Sequence, residues 1–442
     1  MLQLFISIWL VIAIFLSFIK PSQGVALFIA YTIIVPVVRI NIGIELGENY
    51  VNMVLLLSYI INAKNRGYHT DIKVFMPFIF YYIFSLAIMP FQIDISMEWM
   101  LQKWYQQIML YLTVPFIAYN MMLNDRKCIP LFRSAFVFSI IIAIMYGLLQ
   151  TTMGGLNPYQ QALSEITKPG DYDWQSYYLA EGEGRVFGRI SSVFQHPMAF
   201  AVFLGMCLIY IYYIRDTFNN RKYYIFLLLC ISILSLVCGV RSVIAALIVA
   251  IGSYFAISRN FRLIIILAIL GLFGYYIIQY IPGMSSYLSS IIDINNSSSE
   301  VVGSSYDMRL DQLYGAIFEA LRNPIFGLGF DWTHYYRSLY GDHPICLAFE
   351  SIIYVVICNY GLMGIIIWGG MIVLILHNII RRKLKEPSVI VAFVVFFVAF
   401  DCITGEFGFK SFVMFYIMIL GSNFEFNNGK YIYAKNDNII HK

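Results

Sequence analysis

The chain is 442 residues long, 60% hydrophobic and only 12% charged, with a formal net charge of +4 and a mean hydropathy of +0.73. A soluble domain carries about 25% charged residues, so a purely water-soluble fold is excluded and lipid must be the main solvent. The net charge says little by itself, because in such a chain the distribution of charge carries the information; neither a nucleic-acid partner nor a cofactor is expected.

Taken in chain order, apolar runs of about 17–25 residues, enough to span a bilayer, occur near 2–19, 24–40, 74–92, 104–123, 130–153, 196–214, 262–282 and 347–376. Shorter candidates lie at 51–63, 224–238, 242–257, 388–403 and 411–425. The expectation is an all-α polytopic membrane protein, a single domain over 1–442, with roughly 12–13 transmembrane helices. The opening "MLQLFISIWLVIAIFLSFIK" lacks a basic stretch before its apolar run and a small-residue cleavage site, and reads as a retained first span. The seven cysteines mostly fall inside apolar runs without CxxC spacing, and read as small buried residues.

Orientation follows from Lys and Arg. The connections "KNRGYHTDIK" (64–73), "NDRKC" (124–128), "RDTFNNRK" (215–222), "SRNFR" (258–262) and "RRKLKE" (381–386) are basic and fall at every second connection. A basic tail runs from Lys430 to Lys442. By the positive-inside rule these segments, and the C-terminus, face the cytoplasm. Two long loops, 154–195 and 283–345, then face outward; both are net acidic and rich in Tyr and Trp, such as Tyr172, Trp174, Trp332 and Tyr335. Long loops in a compact protein are functional or disordered, and the aromatic content argues for function, with "NNSSSE" (295–300) a flexible link. Within the second loop, 306–322 has apolar residues at helical spacing and predicts an amphipathic helix lying on the outer face. "NPIFGLG" after it marks a tight return.

The outward charges are few. Arg185 and Arg189 precede the 196–214 run, Arg241 sits in the short turn "CGVRS", Arg309 opens the amphipathic helix, and His343 and Glu350 stand at the entrance to the 347–376 run. Each has a structural alternative. An Arg at a membrane helix end is commonly a snorkelling anchor, and His196 and His343, each before a Pro, read equally as loop histidines. Arg241 goes against the positive-inside bias, which suggests an anionic partner. Counting back from Arg381 along a continuous helix places Glu350 about 46 Å away, near the outer headgroup boundary of a bilayer roughly 40–45 Å thick. There it reads either as a helix N-terminal carboxylate favoured by the dipole or as a carboxylate in a polar outer cavity. Apart from Asp401 and Glu406 near one helix end, the spans are almost free of charge. Carboxylate clusters with metal-ligand spacing are absent from the sequence, so no metal is indicated.

Guanidinium groups match phosphate and diphosphate, and a carboxylate or imidazole can accept a proton from a sugar hydroxyl. The set therefore suits transfer of a glycan from a lipid diphosphate, with charge stabilisation of the leaving group.

The ordered segments "GRISSVFQHPMAFAVFL", "CGVRSVIAALIVAI", "RLDQLYGAIFEALRNPIFGLGF" and "AFESIIYVVICNYGLMGIIIW" resemble the O-antigen ligase/polymerase superfamily over about 185–370. These are bacterial inner-membrane enzymes that act on undecaprenyl-diphosphate-linked glycans at the periplasmic face. The resemblance implies that Arg185, Arg189 and Arg309 bind the diphosphate, and Arg241 matches the Arg of a Ser-Arg pattern with Val240 in place of the Ser. Ligases of the superfamily carry His-Asn where this chain has Glu350-Ser351; a carboxylate there is more like the Wzy-type polymerases. The expectation is thus a repeat-unit polymerase without a metal or cofactor, with Glu350 as the base or orienter for the acceptor hydroxyl and His343 as the competing candidate. The alternatives are a ligase that passes finished glycan to lipid A-core and, in another class, a lipid-linked glycan flippase. A chain-length regulator is the expected protein partner.

Overall fold

The computed structural model describes residues 2–35, 39–41, 45–154, 156–167, 189–259, 306–382 and 384–426. The described residues are almost entirely helical, with one short antiparallel hairpin, Arg39–Asn41 against Glu45–Gly47. Six of the described helical stretches are long and apolar enough to cross a membrane: Leu2–Ile19, Lys73–Phe91, Cys128–Thr152, Arg241–Ser258, Met363–Arg381 and Pro387–Thr404. Pro21–Ile34 and Pro197–Tyr213 are shorter apolar helices. The predicted run at 262–282, the link at 295–300 and the basic tail lie outside the described residues.

In chain order the helices are α1 (Leu2–Ile19), α2 (Pro21–Ile34), α3 (Glu48–Arg66), α4 (Met76–Ile88), α5 (Met97–Tyr111), α6 (Thr113–Asn124), α7 (Cys128–Thr152), α8 (Pro158–Thr167), α9 (Pro197–Tyr213), α10 (Arg221–Val237), α11 (Arg241–Ser258), α12 (Tyr306–Ala320), α13 (Trp332–Tyr340), α14 (Ile352–Tyr360), α15 (Met363–Arg381), α16 (Pro387–Thr404) and α17 (Phe409–Phe426). Their burial pattern is that of a bundle in lipid. On α1 a stripe of Ile6, Leu10, Ala13 and Ser17 is buried while Leu4, Phe5, Ile8, Val11 and Phe15 stay exposed; with no water in the hydrocarbon, such apolar faces need no cover. By contrast α17 is buried on every side from Phe412 to Asn423. It packs with α9 and α16 through rings such as Phe393 on Phe412 (5.3 Å between centroids) and Phe203 on Phe415 (5.5 Å). These three helices form the centre.

The basic connections converge at one end. Arg215 forms a two-pronged ion pair with Glu386, one contact at 2.9 Å. Lys385 Nζ lies 2.7 Å from Asp216, Arg382 reaches Asp71 at 3.7 Å and the Tyr119 hydroxyl at 3.1 Å, and Asn124 clasps the backbone of His69. Segments 64–73, 124–128, 215–222 and 381–386 therefore share one face, as alternation along the chain requires. The turns 89–96, 189–196, 238–241 and 405–408 lie at the other.

Three expectations need correction. The 104–123 run is divided at Leu112 between α5 and α6, neither of which is long enough to cross a membrane alone. The 24–40 run is not helical throughout: α2 stops at Ile34 and the hairpin follows. More important, 347–376 is not one helix. It is α14 and α15, separated at Gly361 and Leu362. Gly361 has φ +58° and ψ −145°, a region open essentially to glycine alone, and a Cβ there would lie 2.5 Å from the Pro324 carbonyl oxygen. The amides freed by the break are claimed by the preceding loop: Leu362 N–H donates to Pro324 O (2.9 Å) and Met363 N–H to Ile325 O (3.0 Å). The tight return expected at "NPIFGLG" is present, and it is what makes the break possible. A run of apolar residues conceals such an interruption, because lipid-facing composition is the same on both sides of it. The distance from Glu350 to Arg381 therefore cannot be counted along a continuous helix.

Candidate functional site

At the end opposite the basic connections, charged side chains gather near a small cleft whose lining includes Tyr81, Tyr111, Asn359, Tyr360, Asp401 and Glu406. The segment "GLGFDWTH" is held beside it, against Cys358 and Asn359, under close control. Gln92, in the turn after α4, donates to the carbonyls of Phe326 (3.0 Å) and Asn359 (2.9 Å) and accepts from the Phe330 amide (2.9 Å). Asp94 accepts from the Trp332 indole at 3.0 Å and pairs with Arg322 at 2.6 Å. The Thr333 amide donates to the Asn359 side chain at 3.0 Å. Asp331, buried and at φ +64°, thus begins α13 in a strained, over-determined conformation of the kind found at functional sites.

One helical turn later His334 meets it: Nδ1 lies 2.8 Å from Asp331 Oδ1. An i, i+3 pair shares a helix face, so the two side chains project together. Glu406 comes from the α16–α17 turn, which is bounded by Gly405 (φ +95°) and Gly408 (φ +78°). One ligand-type atom from each of Asp331, His334 and Glu406 lies within 4.8 Å of the others. The carboxylate of Asp331 is the main cause that raises the His334 imidazole to about 9, against the opposing effect of burial, with Glu406 adding to the rise. Burial pushes the Glu406 carboxyl upward while the His334 charge pulls it down. His334 nonetheless leaves 58% of its side-chain surface accessible, which places it at an open mouth rather than in a sealed core.

On the neighbouring wall, His196 caps α9, its Nδ1 accepting the Met198 amide at 3.2 Å, and its ring stacks on Phe407 at 5.2 Å. Burial, then the nearby charges of Arg189 and Arg337, lower its pKa to about 4, so it is neutral at pH 7. Arg189 and Arg337 therefore approach from the first and second outer loops, respectively, and put positive charge on the same side. Arg337 also pairs with Asp342 at 3.1 Å.

The residues expected from sequence divide into groups. Arg185 lies outside the described residues. Arg189 stands beside His196 at the cleft end. Arg241 is the first residue of α11, at the same end of the bundle. Arg309 donates through Nη1 to the carbonyl oxygens of Ile403 (2.6 Å) and Glu350 (3.5 Å); it ties α12 to the C-terminus of α16, where a cation is favoured by the helix dipole. Glu350 is half-buried, just before Ser351, whose hydroxyl caps α14. A Cβ on Gly405 would lie 3.6 Å from the Glu350 Cα, so the backbones carrying Glu350 and Glu406 are in contact. His343 is placed differently from a base. It is 4% accessible, its Nδ1 accepts the amides of Ile345 (3.1 Å) and Cys346 (2.9 Å), and its Nε2 faces Glu319 at 3.5 Å. With Nδ1 accepting, its proton sits on Nε2 toward Glu319, so one ring nitrogen caps its own turn and the other faces α12.

Asp331, His334 and Glu406 were not singled out from sequence as one cluster, and the expectation of no metal-ligating set rested on spacing alone. The signal that exists is "DWTH", an acid and a histidine three apart at a helix start, and "GEFG", a carboxylate between two glycines. Nothing in the sequence joins the two.

The apolar bundle and the polar end define a multi-pass membrane protein. The chain matches no protein-family model and no curated protein sequence.

Proposed function

We propose that this chain is a glycosyltransferase of the bacterial inner membrane that polymerises undecaprenyl-diphosphate-linked oligosaccharide repeat units, with its site at the periplasmic face and its C-terminus in the cytoplasm. The observation that carries the reading is the convergence of Arg189, Arg337, Arg309, Glu350 and Glu406 at the end of the bundle away from the basic connections. By the positive-inside rule that end faces outward. In this reading Arg189, with Arg185 and Arg241, binds the donor diphosphate and takes up the charge that develops on the leaving group. Arg337 adds positive charge from the second loop. Arg309 acts mainly by holding the Glu350 segment against α16. Glu350 accepts or orients the acceptor hydroxyl, its proton passing to the carboxylate as the sugar C–O bond forms and the bond to the diphosphate oxygen breaks.

The turn-bound placement of His343 supports the polymerase over a ligase that would need it as the substitute base at a position lacking His-Asn. Deleting the gene and resolving surface glycan on a gel tests the assignment. A single repeat unit in place of the ladder is the expected result. Complete loss of attached glycan would replace the polymerase by a ligase, and lipid-linked repeat units trapped on the cytoplasmic side would replace it by a flippase.

A further inference from the structure

We propose that Asp331, His334 and Glu406 form a binding site for a divalent transition-metal ion at the mouth of the cleft. The inference goes beyond glycosyl transfer and does not rest on it. Three features carry it. First, one ligand-type atom from each of the three residues lies within 4.8 Å of the others, and the 2.8 Å between His334 Nδ1 and Asp331 Oδ1 is close to the roughly 3.0 Å that separates neighbouring ligands of an octahedral ion at about 2.1 Å from each. Second, Asp401, 1% accessible, has a carboxylate oxygen, Oδ1, with no hydrogen-bond partner among the described residues, and it lines the same cleft as Glu406. A buried carboxylate oxygen left unpaired is costly; a cation held by Glu406 supplies the compensating charge. Third, the ligands sit on fixed backbone, with Asp331 pinned at the start of α13 and Glu406 in the Gly405–Gly408 turn, while accessible His334 leaves an entry path.

The donor set selects the ion. Two carboxylates and one imidazole suit Mn²⁺ or Zn²⁺, whereas Mg²⁺ and Ca²⁺ prefer oxygen alone. Binding would displace the proton shared by Asp331 and His334 into solvent and leave the imidazole neutral.

The test uses the full chain, purified in detergent, stripped with a chelator and titrated with Mn²⁺ while the signal of the free aqueous ion is followed by electron paramagnetic resonance. One equivalent bound, displaced by Zn²⁺, is expected. His334→Ala and Glu406→Gln should each weaken binding at least tenfold, and Glu98→Gln, an exposed acid at the same end, should not change it. Because His334 is largely exposed, its variant keeps the test open if Glu406→Gln does not elute as a folded species. No bound ion, or binding that survives His334→Ala, would overturn the site. Either result is read without reference to glycan, so a failed polymerase assignment and a failed metal site are told apart.

Discussion

Arg309 reaches from α12 to the carbonyl oxygen of Ile403, 2.6 Å away, in the last turn of α16. A single side chain thereby couples the outer loop layer to the central helices, and the same nitrogen touches the Glu350 carbonyl. Charged hydrogen bonds of this kind contribute about 1.5–3 kcal/mol. Arg309→Ala should lower the melting temperature of the detergent-solubilised protein, and Arg309→Lys should restore part of it. An unchanged melting temperature in both would show that Arg309 does not act as this tie.

The turn-bound reading of His343 is tested by chemistry. An Asn side-chain carbonyl can accept the amides that Nδ1 now accepts, so His343→Asn should keep both fold and glycan ladder. His343→Ala leaves two partly buried amides unpaired and should cost about 1–3 kcal/mol. Loss of the ladder in a stable His343→Asn protein would return His343 to the list of bases.

Arg189→Ala and Glu350→Gln should each abolish the ladder while the protein still inserts at wild-type level, as read by membrane immunoblot. Glu350→Gln conserves shape and removes only the ionisable oxygen; a full-length ladder from it would exclude Glu350 from any chemical role.

The Asp331–His334 pair predicts a pH dependence in chelator-treated protein. The folded imidazole is raised from an ordinary value near 6.5 to about 9. Its contribution to stability is therefore complete below pH 6.5 and is lost as pH rises through about 9. Asp331→Asn removes the main cause, so the difference in melting temperature between native and variant protein should shrink from pH 6.5 to 9.5. A difference that stays constant or widens over that range would contradict the pairing.

Gly361→Ala tests the break. The φ of +58° and the Pro324 carbonyl 2.5 Å from an added Cβ leave no room for the methyl group. The variant should lose several kcal/mol and be recovered mostly as aggregate; normal yield and melting temperature would mean that the chain can pass Gly361 as a regular helix.

Of the roughly 12–13 spans expected, six described helices are long and apolar enough to cross; those were legible because lipid rewards apolarity over a fixed length, and the shared face of the basic connections followed from where Lys and Arg fall. The cleft was legible only in part. Arg189, Arg309 and Glu350 stand out in the sequence as rare charges at helix ends, but none of them lines the cleft itself. That His343 is consumed by its own turn depends on the left-handed backbone at Leu347 and Phe349, which non-glycine residues do not announce. Glu406 joins Asp331 and His334 only through the docking of the α16–α17 turn against the start of α14, a long-range event invisible in local spacing.

The interruption at Gly361 has a mechanical consequence. Were 347–376 a single rod, any change in hydrocarbon thickness that tilted it would carry Glu350 along. As two pieces, α15 can tilt about its anchored start to relieve hydrophobic mismatch while α14 stays registered through Cys358 on Leu328, Asn359 on Gln92 and Tyr354 on Arg309. The polar end is thereby insulated from the lipid composition around it, and membranes of different thickness should find the same side chains at the same separations.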